Sequence, residues 1–544
     1  MALTVTAGGA STTAVAITTG TGTLDDLYIA AARAWTTSAA GGSIVKDTSN
    51  NLDYHCILAF TSGSPATQPS SDATHWAGGY THTTGVPDIA NSTAYNAAPI
   101  WKSGSNPYTY TVKSTASNGR QITIANTGTL NINNPGDVLE WDNVGNVSGT
   151  YALSVAAGGT INIIGANQAS GEITLDFDKA YTYNRTSSIN FSGHSTITGY
   201  SGHEIVLKHF NSIATTDASQ AGHTRNWDYV KLEDNLNGTL TFASSGDAKL
   251  TGKSMTNIWF HCLTTPSGGS AKRGYVNFTG DMNNWTFSGW EFNNCLYSTN
   301  ANSTGIKFSN STFKNSSSTF SWYACGLAIS RRAYNTSQTE LVSGTSDQPF
   351  LVFDTCYFDN NSNGTIHLSS SYNSVTLMKN CTFGTTAVTT GLYAYYGGLI
   401  LLDATTNTNI MASSAVTKKL WGTGTFLHIR TLTLTVKDEN GNALQNAVVL
   451  VYQKELKERW VFATDANGQI KTVHGDDPVF VEKEETSLNT FTQWSNGTGS
   501  QIHRIVVSKP GYQTWSTDVA FTADKTITAT LQPIARFRMF PTQY

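Results

Sequence analysis

The sequence predicts an all-β protein in two parts, a long β-solenoid of stacked strands followed by a small β-sandwich, with a short helix near the N-terminus. Three observations predict it. A phenylalanine-anchored motif recurs at rung-like intervals through the middle of the chain. A long stretch rich in Ser, Thr, Asn and Gly then gives way to "TLTLTVKDENGNALQNAVVLVYQ", Thr431 to Gln453, which is compact, alternating and Val-rich around a polar turn. Near the start, "TGTLDDLYIAAARAWTTSAAGG" carries apolar residues at helical spacing.

In that first element Thr23 is placed to cap the helix, and Asp25 and Asp26 fall in its electropositive first turn. Leu24, Leu27, Ala31 and Trp35 follow near helical spacing, and Gly41-Gly42 ends the run. The segment 1–42 therefore carries a helix that caps a solenoid or docks on a partner. Residues 43–118 read as strands and loops of no assignable fold.

The repeat occupies 119–425. Its copies are "MTNIWFHC" at Phe260, "FSGWEFNN" at Phe292, "FSNSTFKN" at Phe313, "FDTCYFDN" at Phe358 and "MKNCTFGT" at Phe383, spaced by 32, 21, 45 and 25 residues. Five residues before each anchor stand Met255, Phe287, Phe308, Phe353 and Met378; two before it stand Ile258, Trp290, Ser311, Cys356 and Cys381. Residues two apart share a strand face, so the anchor and its second predecessor point inward together, whereas the odd offset to the fifth predecessor demands a bend. Asn257, Gly289, Asn310, Thr355 and Asn380 supply it, because Asn and Gly tolerate left-handed backbone. Stacking such strand-corner-strand units buries one continuous core. A sandwich of many short strands is the alternative.

This pattern resembles the right-handed parallel β-helix of the pectate-lyase-like superfamily over about Arg120 to Leu420, with earlier coils such as "TLNINNPGDVLEW" lacking the Phe anchor. In the tail, 426–535, "TLTLTV" and "ALQNAVVLVYQ" read as an antiparallel pair around "DENG", followed by "ATDANGQIKT", "HRIVVSKPGYQT" and "KTITATLQP". Their order resembles a carboxypeptidase-regulatory-like, or transthyretin-like, module, an immunoglobulin-like sandwich. Ala443 and Asn446 depart from the proline and glycine common at those turns. Asp465-Ala466-Asn467-Gly468 reads as a turn rather than a cation loop, because no following glutamate ligand is present. Mixed charges, from Lys454 to Arg459 and from Asp476 to Glu485, form a solvated rim or a contact between modules. The tail 536–544 adds aromatics and arginines.

Composition narrows function. Only 13% of residues are charged and the formal net charge is −4, so neither nucleic acid nor an acidic membrane surface is an expected partner. No basic and then apolar leader opens the sequence and no long apolar run occurs, so neither Sec export nor membrane insertion is expected. The six cysteines form no C-x-x-C pair, which predicts buried free thiols and no metal site. Glycoside hydrolysis needs two carboxyl groups about 5–9.5 Å apart; among Asp281, Glu291, Asp354 and Asp359, the candidates kept are Glu291, Asp354 and Asp359. Their ordinary reading is turn or solvent-facing polar residues. The Asp-Asp pairs Asp25-Asp26 and Asp476-Asp477 lie outside the repeats. Tyr393, Tyr395 and Tyr396 in "GLYAYYGG" are candidates for stacking on sugar rings.

A signal-less chain of this composition, with a solenoid and an immunoglobulin-like terminal module, looks like an exposed structural protein of a tailed bacteriophage particle, a head decoration or a tail appendage. The resemblance implies a non-enzymatic virion component made in the host cytoplasm. It implies other virion proteins as partners, adhesion to surface glycans, no cofactor, and a homotrimer by analogy with other phage β-helices. The rivals are a tailspike polysaccharide depolymerase and a bacterial surface adhesin.

Overall fold

The structure, a computed structural model, describes residues 4–7, 14–29, 33–35, 44–47, 49–62, 69–81, 100–103, 106–112, 121–141, 151–179, 188–210, 212–214, 225–233, 239–241, 254–261, 274–278, 286–293, 295–299, 306–314, 320–322, 351–359, 365–369, 375–384, 390–395, 399–413, 416–421, 424–453, 459–472, 475–487, 490–493 and 502–534. It is all-β with mostly parallel sheets. The chain forms two compact units: Met1–Asp281 with Ser288–Ser298 and Lys314–Ser317, and Met282–Phe287 with Thr299–Phe313 and Ser318–Tyr544.

In the first unit, successive passes of the chain pair in parallel so that apolar residues lie against apolar residues. One ladder runs through Ile17, Ile124, Val155 and Phe191, each in register with the next. A second runs through Ile132, Ile163, Ile197, Trp227 and Met255. A third runs through Tyr110, Leu139, Leu175, Leu207, Leu232, Phe260 and Phe292. The sequence alignment of Phe260 with Phe292 is thus a real register, and the column continues upstream as leucines. Parallel neighbours sit about 4.8 Å apart, so each pass covers the apolar row of the one before.

Parallel pairing begins at Ala14–Thr23, which adjoins both Gln121–Ile124 and Gly128–Ile132. The helix that follows, Leu24–Ile29, is shorter than its sequence suggests. Leu24 and Leu27 are buried, and the Thr23 backbone N–H donates to Asp26 Oδ2 at 2.7 Å, closing the first turn. Trp35, expected on the helix, instead lies in the strand Arg33–Trp35, which pairs antiparallel with Phe60–Ser62. Strand pairing there outweighs the helix propensity of the alanine run. Ile44–Asp47, Leu52–Cys56 and Trp76–Thr81 make a separate three-stranded antiparallel sheet.

The second unit repeats the pattern with aromatics. Phe308, Phe353, Met378, Leu402 and His428 form one in-register column. Phe313 stacks on Phe358 at 5.1 Å, and Phe358 on Phe383 at 5.6 Å. The corners are left-handed as predicted, with φ of 49° at Asn310, 57° at Thr355 and 52° at Asn380; Gly289, in the first unit, has 70°. Asn257 lies within the strand Ser254–His261. Ser311, Cys356 and Cys381 are buried behind those corners, and both thiols donate to backbone carbonyls. The side chains of Cys262, Cys295 and Cys325 lie outside the described residues.

The tail shares one core between two groups of strands. Arg459–Ala463, Val448–Gln453, His503–Ser508 and Trp515–Val519 form an antiparallel sheet. Thr425–Asp438 pairs in parallel with Lys525–Leu531 and antiparallel with Val479–Ser487. Leu434, Val436, Val449, Val451, Phe480 and Ile505 bury together between them. The hairpin expected from Thr431 to Gln453 does not form. Only Lys437 and Ala443 bridge at its turn, after which the chain crosses to the other sheet. Asn446 supplies the crossing with φ 58°, a conformation that Asn tolerates almost as glycine does. The last residues, 535–544, lie outside the described residues.

Candidate functional site

The carboxylates singled out from sequence are already engaged. Glu291, in the first unit, accepts from Lys314 Nζ at 2.7 Å. In the second unit Asp354 accepts from Lys307 Nζ at 2.9 Å, and the same ammonium reaches Asp476 at 2.7 Å. Burial alone would raise the Asp354 carboxyl, but the hydrogen bond and charge of Lys307 overcome it and hold the group below the ordinary aspartate range. A general acid needs the opposite shift. Asp359 accepts from the Tyr357 hydroxyl at 3.1 Å, and a Cβ on Gly384 would collide with its carboxylate. Asp281 and Tyr396 lie outside the described residues, as do the side chains of Tyr393 and Tyr395 in the strand Thr390–Tyr395.

The turn reading of Asp465 is explicit in its hydrogen bonds. Its Oδ1 accepts the backbone N–H groups of Asn467 and Gln469 at 2.8 and 2.9 Å, and Gly468 has φ 72°. Among the described residues no cluster of three His, Cys, Asp or Glu could hold a metal ion, and no helix is long and apolar enough to cross a membrane.

A polar cavity of about 220 Å³ lies in the first unit, where the short helix meets the parallel ladders. Thr23, Leu24 and Asp25 line it from the helix start. Tyr108 precedes and Tyr110 lies in the strand Thr109–Val112, Asn131 lies in Gly128–Ile132, and Asn133, Asn134 and Asp137 come from the turn between that strand and Val138–Trp141. Asp25, Tyr108 and Asp137 are held in place. Lys102 Nζ and the Tyr110 hydroxyl donate to Asp25 Oδ1, the latter at 2.7 Å. The ammonium of Lys102 sits 3.6 Å from the Tyr108 ring centre. Asp137, only 3% exposed, accepts from the Tyr108 backbone N–H at 2.8 Å and from the Asn134 amide. Burial pushes its carboxyl above the ordinary aspartate value, against the pull of those two donors, and the nearby Asp25 charge adds to the rise.

Sequence reading singled out Asp25 as a helix-turn residue and as half of an Asp-Asp pair outside the repeats, and did not single out Asp137. Aspartates after Gly-rich turns are too common to stand out, and parallel pairing of Thr109–Val112 with Val138–Trp141 is what brings Tyr110 beside Leu139 and this turn. No protein-family model matches the chain, and no curated protein matches it.

Proposed function

We propose that the chain is a non-enzymatic structural protein of a tailed bacteriophage particle, exposed as a head decoration or tail appendage and adhering to surface glycans. In this reading the parallel ladders are a right-handed β-helix and the tail is a carboxypeptidase-regulatory-like, immunoglobulin-type module. Other virion proteins are its partners, and it assembles as a homotrimer. One observation carries the non-catalytic part: the candidate carboxylates Glu291 and Asp354 are tied to Lys314 and Lys307 at 2.7 and 2.9 Å. Carboxylates so paired fasten strands, and Lys307 holds Asp354 below the range that a general acid needs. Supporting it, the strand Thr425–Asp438 runs without interruption from the last parallel ladder into the tail core, as in a load-carrying rod.

The test pairs two measurements. Gradient-purified particles are examined by mass spectrometry and immunogold labelling for this chain, and the purified protein is incubated with host capsular polysaccharide while reducing ends are counted. Labelled particles without sugar release are expected. Reducing ends that disappear in Asp354→Asn or Glu291→Gln would instead make the protein a depolymerase.

A further inference from the structure

We propose that the cavity bounded by Asp25, Tyr108, Asn131, Asn133 and Asp137 is a binding site for one neutral sugar residue of a glycan. The inference rests on the adhesive part of the function proposed above and names its site and ligand class. Size comes first. At about 220 Å³ the cavity is smaller than the roughly 300–1,000 Å³ that drug-sized ligands occupy, and suits a single ring.

Chemistry comes second. A sugar presents hydroxyls that both donate and accept, so its site needs acceptors and donors interleaved around an apolar or aromatic face. Two carboxylates supply acceptors: Asp25 and Asp137 each have one oxygen committed to protein donors, Oδ1 in both cases, and a second oxygen beside it. Amides supply donors. Asn131 uses its Oδ1 to accept from Asn162 at 2.8 Å, and Asn106 uses its Oδ1 to accept from Asn134 at 2.9 Å, which leaves each Nδ2 without a partner among the described residues. Asn133, also on the wall, makes no side-chain hydrogen bond there either. The Tyr108 ring adds aromatic surface, with the buried Tyr110 ring packed against it at 6.3 Å and 69°.

Charge comes third and selects among sugars. The ammonium slot beside Tyr108 is filled by Lys102, which already neutralises Asp25. An amino sugar would have to displace it. A uronic acid would bring a third carboxylate towards Asp25 and Asp137, and the described lining includes no cation to receive it. A neutral hexose or N-acetylhexosamine suffers neither penalty. The site is also preorganised, since Asp137 is fixed by two donors and Asp25 by two more, so little ordering remains to be done on binding.

Saturation-transfer NMR on the full chain tests this with methyl glycosides of glucose, galactose and mannose, with methyl N-acetylglucosaminide, and with glucuronate and galacturonate, each at millimolar concentration. At least one neutral sugar is expected to show transfer and both uronates none. The Asn131→Ala/Asn133→Ala double variant, with an unchanged melting temperature, is expected to weaken binding by about tenfold. Absence of transfer from every neutral sugar, stronger transfer from a uronate, or undiminished binding by the double variant each overturns the site. If the protein adheres to glycan-coated surfaces equally well with both asparagines removed, adhesion stands and this cavity is not its seat. If particles lack the chain altogether, the virion reading falls while the sugar titration is unaffected.

Discussion

At the scale of single residues, the corner of the repeat shows both fit and strain. Asn310 and Asn380 adopt left-handed backbone at small cost, but Thr355, at φ 57°, is β-branched in a region that such residues avoid. Its hydroxyl donates to Asp354 Oδ1 at 3.0 Å, which offsets part of that cost. Thr355→Asn is therefore expected to stabilise the protein by about 1 kcal/mol, read as a raised melting temperature. Lys307 makes a second prediction. It is 8% exposed and holds Asp354 and Asp476 together, so Lys307→Met leaves two carboxylates facing without their cation and should cost about 2 kcal/mol at neutral pH. The sign of the pH dependence follows from Asp354, whose folded carboxyl titrates below the ordinary 3.8. Its contribution is complete above that value and is lost as pH falls through the lower folded one. Melting curves from pH 7 to about 2 should thus show wild type and Lys307→Met converging in acid; a gap that persists unchanged would deny the pair its role.

At the scale of elements, the clearest surprise is the helix Ala404–Ala412. It closes the corner column. In the two preceding passes the corner N–H donates to the next pass, Asn310 to the Asp354 carbonyl and Thr355 to the Lys379 carbonyl. Asn380 donates instead to Asp403 Oδ2 at 3.1 Å, while Asp403 Oδ1 caps the helix by accepting from Thr406 N–H at 2.7 Å. One carboxylate thus terminates a ladder and starts a helix. Asp403→Ala removes both acceptors and should lower stability by about 2 kcal/mol, measured by urea unfolding, whereas an effect under about 0.5 kcal/mol would mean that water serves as well. The sequence could show the phenylalanine columns and the left-handed corners because chemistry repeats there at fixed offsets. It marked the earlier passes only as coils without the Phe anchor, because their anchors are Leu139, Leu175 and Leu207, and leucines mark any core. It hid the helix as well, because "ATTNTNIMA" is poor in helix formers and is helical through its cap and its seat against Met378 and Cys381. The polar cavity escaped for a different reason: Asp25 and Asp137 are distant in sequence and only strand pairing joins their surroundings.

At the scale of the whole molecule, the second unit has one strand that belongs to two structures. The first half of Thr425–Asp438 pairs with Leu399–Leu402 in the parallel ladder, with Leu402 against His428; the second half pairs with Lys525–Leu531, with Leu434 against Ile527. The change of partner falls around Arg430, where the strand has no loop to absorb motion. Two ion pairs fasten the same junction. Lys418, from the strand Val416–Trp421 that pairs in parallel with Thr390–Tyr395, reaches the buried Glu485 of Val479–Ser487 at 2.7 Å, and Lys307 reaches Asp476. Tail and ladder end should therefore unfold together, because losing either removes hydrogen-bonding partners from a strand of the other. Inserting Gly-Ser-Gly after Arg430 breaks that continuity, and with it the pairing of Thr431 with Val479, while leaving every core side chain in the sequence. The expected calorimetric outcome is that the variant's tail melts in a transition of its own, while in wild type it melts with the final passes. Retaining the Lys418–Glu485 pair should then hold the insertion variant's tail transition closer to the main one than in the insertion combined with Glu485→Gln. If wild type already shows the tail melting alone, the shared strand is a tether and not a strut, and force applied at the tail would not reach the ladder.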